Sequence, residues 1–416
     1  MNFFKKYKNI LSGLSINAME TFDSVLYGYY SPFMAPLFFP DVDSKSRQLK
    51  VLLIFAALFV MKPLGGIIFG YIGDKYGRKT SLISSVLLIS IPTLSIGILP
   101  GYTILGLWAP FLLVLLLSIQ GMGAAAAFSG AAIFLNEHAK PHTKSLFSGF
   151  LFSAGFLGAA LSSLLGIFFV SYYPTWGWRF VFILGAILGL CILKLRNNLE
   201  ETPQFIASHK KKKLSSFRIP VREIFKKRKR NFLCGVGISA GANIPFYILL
   251  IYINSILSTD FLVHDHTMLT HNVVILLFWA LVLPFFGHLG DKIGEKNLMV
   301  GSSFLLVFFS LPIMQWFLSE KTFFSLMVGR ITLSFLAMGV VAPCSAFIAR
   351  LFPIGERQTG AGSSYLIGTA LFGGTAPFLC LYCSSVFKTD LFPAFYLSIS
   401  GVITIVSVLF AQPTEE

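Results

Sequence analysis

Three charged residues stand where the surrounding sequence is apolar. Glu20 and Asp23 lie inside the stretch 10 to 38, and Lys62 lies near the middle of the stretch 50 to 72. A charge deep within a lipid-embedded helix costs about 2.5–3.5 kcal/mol on insertion scales, so such residues are paired, functional or both. Glu20 and Asp23 are three positions apart and share one face of a helix. Two like charges in a poorly hydrated site oppose joint ionisation, which lets one carboxyl take up and release a proton; Lys62 is the natural counter-charge. The chemistry on offer is proton and solute binding by Glu20, Asp23 and Lys62. The plainer alternative is a static ion pair that locks the first helix to the second. The two acids favour function, because a purely structural lock seldom needs both.

The elements that must position these charges are legible in composition and hydropathy. Of 416 residues, 55% are hydrophobic and 12% charged, against roughly 25% charged in soluble chains. At ~20 apolar residues per crossing the length holds about a dozen helices and excludes a sizeable soluble catalytic domain. Apolar stretches run near 10 to 38, 50 to 72, 80 to 99, 105 to 135, 146 to 170 and 178 to 195, then 231 to 258, 268 to 289, 297 to 318, 323 to 349, 360 to 384 and 391 to 411. The expected fold is an all-α integral membrane protein of twelve transmembrane helices in two six-helix bundles, residues 1–195 and 231–416, joined by a basic cytoplasmic linker, 196–230. That linker carries HKKKK at 209 to 213 and FKKRKR at 225 to 230.

Charge placement orients the chain. With the N-terminus inside, 25 of the 33 Lys and Arg fall in inner segments and five in outer loops. The remaining three, Lys62, Arg179 and Arg330, fall in or at the edge of spans. The positive-inside rule therefore puts both termini in the cytoplasm. The net charge of +15 is mostly this signal, so no nucleic-acid partner is expected; the linker should touch anionic lipid of the inner leaflet. The basic start, MNFFKKYKN, precedes an apolar segment too long for a signal-peptide core, and it is expected to stay as a span. Five cysteines (Cys191, Cys234, Cys344, Cys380, Cys383) are read as small apolar fillers, and the seven histidines offer no metal spacing. No cofactor and no metal are expected.

The segment after the second span reads GYIGDKYGRK, Gly70 to Lys79. Gly73 and Gly77 permit a tight reversal, Asp74 suits the positive end of the next helix dipole, and Arg78 and Lys79 anchor the inner face. A weaker copy, FGHLGDKIGEK (Phe286 to Lys296), recurs 217 residues on around Asp291. Repetition at the corresponding place in the second six spans indicates duplicated halves. Tyr27, Tyr30, Gln120, Asn243, Tyr247 and Asn254 are candidates to line a cavity between the halves, although Tyr and Asn also join helices by hydrogen bonds. Arg330 opens the tenth span near its outer end; snorkelling to the interface is the first expectation and a meeting with an anionic substrate the second.

These motifs resemble the major facilitator superfamily, whose signature between spans 2 and 3 is G-x-x-x-D-[RK]-x-G-[RK]-[RK]. KPLGG (Lys62 to Gly66), QG (Gln120, Gly121), WGWRF (Trp176 to Phe180), LEETPQF (Leu199 to Phe205), LFP (Leu351 to Pro353) and GGTAP (Gly373 to Pro377) look like its metabolite:proton symporter branch. That branch includes proline/betaine, citrate, 2-oxoglutarate and shikimate transporters. The resemblance implies two bundles rocking about a central cavity and proton-driven uptake of a small solute by a monomer in a bacterial cytoplasmic membrane. Three features depart from the proline/betaine pattern. ETFDS (Glu20 to Ser24) keeps both acids of the first span but not two aromatics, and Ala125, Ala126 and Ala127 replace the stretch that carries a span-4 carboxylate. Lys62 also stands where an Arg is usual, a point charge in place of a fork.

The expected function is proton-coupled symport of a zwitterion such as proline or betaine, with an organic-acid symporter or a non-transporting solute sensor as alternatives. A membrane enzyme would need a nucleophile or nucleotide loop, and the spans carry no such motif. Members of the proline/betaine type with a long C-terminal coiled coil use it in osmosensing. The chain read here stops at Glu416, so regulation by that route is not expected.

Overall fold

The structure is a computed structural model that describes residues 2–40, 44–173, 175–196, 201, 227–253, 265–320 and 322–414. It is all-helical. The first half holds α1 (Asn2–Phe38), α2 (Ser44–Tyr76), α3 (Arg78–Ile98), α4 (Trp108–His138), α5 (Lys144–Tyr172) and α6 (Gly177–Arg196). The second holds α7 (Lys229–Tyr252), α8 (Asp265–Ile293), α9 (Glu295–Glu320), α10 (Phe323–Arg350), α11 (Gln358–Phe387) and α12 (Phe392–Phe410). Among the described residues, nine of these are long and apolar enough to cross a membrane.

Each helix overlaps the apolar stretch expected for it, but most run several residues past its ends. Hydropathy marks where a helix leaves the hydrocarbon, whereas the backbone ladder continues until a cap or a turn stops it. A one-turn helix, Tyr102–Leu105, and a turn at Gly106 delay α4 to Trp108.

Without a hydrophobic force between helices in lipid, close backbone approach must supply the packing, and small residues permit it. Inside the first half α4 packs against α2 and α3, and α1 against α5. The α2–α4 contact is reciprocal in glycine. A Cβ at Gly65 would lie 2.5 Å from the Met122 carbonyl oxygen, and one at Gly121 would lie 2.5 Å from that of Leu58. In the second half α9 packs against α10 and α12, and α7 against α11 and α12.

The halves meet along two seams, α5 against α8 and α10, and α2 against α11. The α5–α8 seam is again glycine-lined: a Cβ at Gly149 would lie 2.8 Å from the Leu283 oxygen, and one at Gly287 would lie 2.5 Å from that of Ser145. α7 ends in a π turn, Ile248–Tyr252, and α11 contains two, Gln358–Gly362 and Thr369–Gly373. Such turns concentrate at functional places, and both helices face the first half.

Gly121→Val should lower the melting temperature by several degrees or abolish monodisperse protein, because the clash is with backbone and overpacking alone costs ~1–3 kcal/mol. Gly301, with nothing within 4 Å of an added Cβ, is the control: Gly301→Ala should leave melting unchanged or raise it slightly. Differential scanning fluorimetry of the two variants checks this.

Candidate functional site

Lys62 and Glu20 pair at the centre of the molecule, Nζ to Oε1 3.7 Å, with both side chains buried. Glu20 also accepts hydrogen bonds from the hydroxyls of Ser24 (2.8 Å) and Thr21 (3.2 Å). The Lys62 ammonium stands 5.1 Å from the centroid of Phe59, and the Phe59 ring meets Tyr247 of α7 edge-on at 5.5 Å. Glu20 is within electrostatic reach of Tyr247 and Tyr365. Tyr365 donates to Asn243 Oδ1 (3.5 Å), and the Asn243 amide is held by Ser239. The charges of the first half therefore look onto a polar, aromatic face of the second.

Asp23 takes a different direction. A Cβ on Gly185 of α6 would lie 3.0 Å from its Oδ1, and its polar neighbour on α3 is Thr93. Thr93 uses its hydroxyl proton on the Ile89 carbonyl, and neither Asp23 oxygen receives a hydrogen bond. The shared face expected of Glu20 and Asp23 is thus split: Glu20 faces α2 and the second half, while Asp23 faces α3 and α6. Two other cavity candidates also turn inward. Gln120 donates to Thr93 (2.9 Å), and Tyr30 donates to the Ser162 carbonyl (2.7 Å) beside Phe182. Both join helices of the first half, the structural use open to such residues. Tyr27 is buried.

Rings from the two halves meet around this centre. Phe128 of α4 stacks on Tyr365 of α11 at 4.4 Å, and Phe156 of α5 contacts Trp279 of α8 at 5.0 Å and Phe246 of α7 at 5.5 Å. Hydropathy could not find this layer, because any one ring in an apolar helix reads as lipid-facing or core.

Towards one end, the two GD motifs reach across to the opposite half. Asp74 accepts from the backbone N–H of Gln358 (3.2 Å) and Thr359 (2.8 Å) and from the Thr359 hydroxyl (2.6 Å). Asp291 accepts from the N–H of Ser145 (3.0 Å) and Leu146 (2.9 Å). Each carboxylate thus caps the positive end of a helix in the other half. This corrects the sequence reading, which gave Asp74 to the next helix; the start of α3 is served instead by Glu201, which accepts the Lys79 N–H at 3.2 Å. Gly70 and Gly73 lie within α2 and are not turn residues; they leave room for Thr359 and Gln358. The reversals fall at Gly77 (φ 108°) and at its counterpart Gly294 (φ 91°), a region that suits glycine.

Buried charge reinforces this end. Arg357 pairs with Glu137 at 4.0 Å, Arg350 pairs with Glu295, and the Ser145 hydroxyl donates to Glu295 at 2.6 Å. Nothing in the sequence singles out Arg350, Arg357 or Glu137, since spacing does not separate a charge beside a helix end from one folded under it.

Towards the opposite end, Arg330 does not snorkel. It is fully buried and donates from Nε (3.0 Å) and Nη2 (2.7 Å) to the Leu249 carbonyl in the α7 π turn. A neighbour the sequence gave no reason to select, Asn272 of α8, donates to Tyr29 of α1 at 3.0 Å. The Arg78 side chain, Asn254 and most of the basic linker lie outside the described residues.

The profile of the family described as "Sugar (and other) transporter" matches residues 11–219. The glycine betaine/proline/ectoine/pipecolic acid transporter OusA of Dickeya dadantii (strain 3937) is 32% identical over 420 residues, which cover 96% of this chain and 81% of that protein. The alpha-ketoglutarate permease of Escherichia coli (strain K12) is 30% identical over 384 residues, 91% of this chain and 87% of that one. Among solved structures, the major facilitator superfamily proton:xylose symporter XylE bound to 6-bromo-6-deoxy-D-glucose superposes with a TM-score of 0.80. That match has 16% sequence identity and covers 99% of this chain and 96% of that one, a likeness of fold.

Asp74→Asn should open the end that Asp74 closes. Loss of charge-assisted bonds worth ~1.5–3 kcal/mol shifts a two-state equilibrium by roughly ten- to a hundredfold. Spin labels at His142 and Gly355, on the two sides of that end, should report a longer mean distance than in the unsubstituted protein.

Proposed function

Because the chain belongs to the sugar (and other) transporter family of the major facilitator superfamily, we propose that it is a proton-coupled symporter of a small zwitterion of the proline and betaine class. It is a multi-pass integral membrane protein of a transporter family, not an enzyme. In this reading the twelve helices all cross the membrane as two six-helix units, 1–195 and 231–416. The linker 196–230 and both termini lie on the cytoplasmic side of a bacterial inner membrane, and the Asp74 and Asp291 contacts form the cytoplasmic gate. The protein acts as a monomer.

The observation that carries the proposal is the buried Lys62–Glu20 pair beside Phe59, whose ring meets Tyr247 across the boundary between halves. A proton on Glu20 removes the charge that Lys62 balances and leaves the ammonium to a solute carboxylate. Proton and solute then favour each other's binding, a linkage that works equally in both directions. Asp23, three residues on and turned towards α3 and α6, is a second proton-binding carboxyl of the same helix. The solute's positive end finds ring faces at Phe59, Tyr247 and Tyr365, where cation–π attraction contributes ~0.5–2 kcal/mol.

A second reading, symport of an organic acid, is favoured by the buried Ala125, Ala126 and Ala127, which leave the centre of α4 without a carboxylate. The similarity to an alpha-ketoglutarate permease points the same way.

In proteoliposomes Asp23→Asn should lose uphill accumulation driven by an inward proton gradient, yet retain counterflow of labelled proline or glycine betaine. Uphill uptake by the variant would remove Asp23 from coupling. Binding without counterflow, in the unsubstituted protein, would mark a solute sensor, and exchange of 2-oxoglutarate in place of proline would establish the second reading.

A further inference from the structure

Arg330 is the most deeply buried cation among the described residues, with 0% of its surface exposed. No described carboxylate pairs with it. Its Nε and Nη2 are filled by one backbone carbonyl, and Nη1 has no hydrogen-bond partner. A guanidinium taken out of water needs compensation from an opposite charge, and within a membrane protein an ionisable group of this kind is a functional candidate by default.

Polar groups of both halves lie near it at the boundary between them. Tyr29 of α1 and His271 of α8 both feel the Arg330 charge. Asn272 donates to Tyr29 and leaves its own Oδ1 unpaired, and His271 Nδ1 is unpaired as well. This group is separate from the central pair. Tyr29 lies nine residues beyond Glu20 on α1, about 13 Å at the helical rise, towards the end opposite the Asp74 contacts. The hydrogen bond between Tyr29 and Asn272 joins the halves at this level.

Resting on the symport reading above, we propose that Arg330 is a second solute site, an outer station that binds the carboxylate of the incoming solute before it reaches Lys62. Opening of the Tyr29–Asn272 contact exposes Nη1, and the solute carboxylate completes the hydrogen bonds of the guanidinium while Leu249 keeps it aimed. The π turn of α7, in which Ile253 N–H bonds Ile248 O five residues back, holds that carbonyl in place. The site selects for a carboxylate and is indifferent to the amine, so it serves proline, glycine betaine and 2-oxoglutarate alike.

The test uses proteoliposomes of the full chain. Arg330→Gln should raise KM for glycine betaine or proline tenfold or more, with a much smaller change in maximal rate, and Arg330→Lys should recover part of the loss. An unchanged KM, or a loss confined to maximal rate, would make Arg330 a clamp on α7 and overturn the proposal. Should Arg330→Gln not fold, phenylglyoxal labelling of the unsubstituted protein, read at Arg330 by mass spectrometry, decides. Protection by glycine betaine but not by choline, which lacks the carboxylate, supports the site; equal labelling in both overturns it. Absence of proton-driven uptake by the unsubstituted protein would instead remove the symport reading.

Discussion

A buried carboxylate is costly without donors, and here two carboxylates find theirs across the boundary between the halves. Asp74 and Asp291 each cap the first turn of a helix in the opposite half, where backbone N–H groups have no partner of their own. A contact of this kind is charge-assisted, and both of its sides are polar. Its duplication follows from the duplicated sequence: the same motif at the end of α2 and at the end of α8 meets the same kind of helix start, at α11 and at α5. The two seams between the halves, α2–α11 and α5–α8, are thus hinged at one end by equivalent interactions.

The middle of the molecule obeys a different constraint. Lys62 and Glu20 compensate each other within the first half, so the halves face one another there through rings and neutral polar groups. Stacked or edge-on rings such as Phe128–Tyr365 and Phe156–Trp279 carry no fixed charge across the boundary and slide at small cost. The buried charge pair thus stands beside an interface of rings and neutral polar groups. A permanently bonded network across the middle would hold one conformation.

Much of this was legible in the sequence. Each helix was expected within a few residues, because the cost of exposing backbone to lipid leaves long apolar helices as the solution. The Lys62–Glu20 pair followed from the rarity of charge inside apolar stretches, and the importance of Asp74 and Asp291 from the repeat. What was not legible depends on direction and on distant partners. The i, i+3 spacing of Glu20 and Asp23 could not reveal that Asp23 turns towards Gly185, nor that Gln120 and Tyr30 bond within their own half. The helix-dipole argument for Asp74 was sound but named α3, since nothing local points to α11 almost 300 positions away. Nothing in the sequence singles out Arg357 and Glu137, which the fold buries as a pair, and Arg330 sits close enough to a helix end to look free to snorkel.

The central claim is that a proton and a solute are bound together and carried together. The most direct measurement is uptake by the unsubstituted protein in liposomes under an inward proton gradient, with labelled proline, glycine betaine and 2-oxoglutarate and a protonophore control. The account predicts accumulation of at least one of these above its external concentration, abolished by the protonophore. Ligands that raise the melting temperature without any gradient-driven accumulation would contradict it and withdraw the proton role of Glu20 and Asp23.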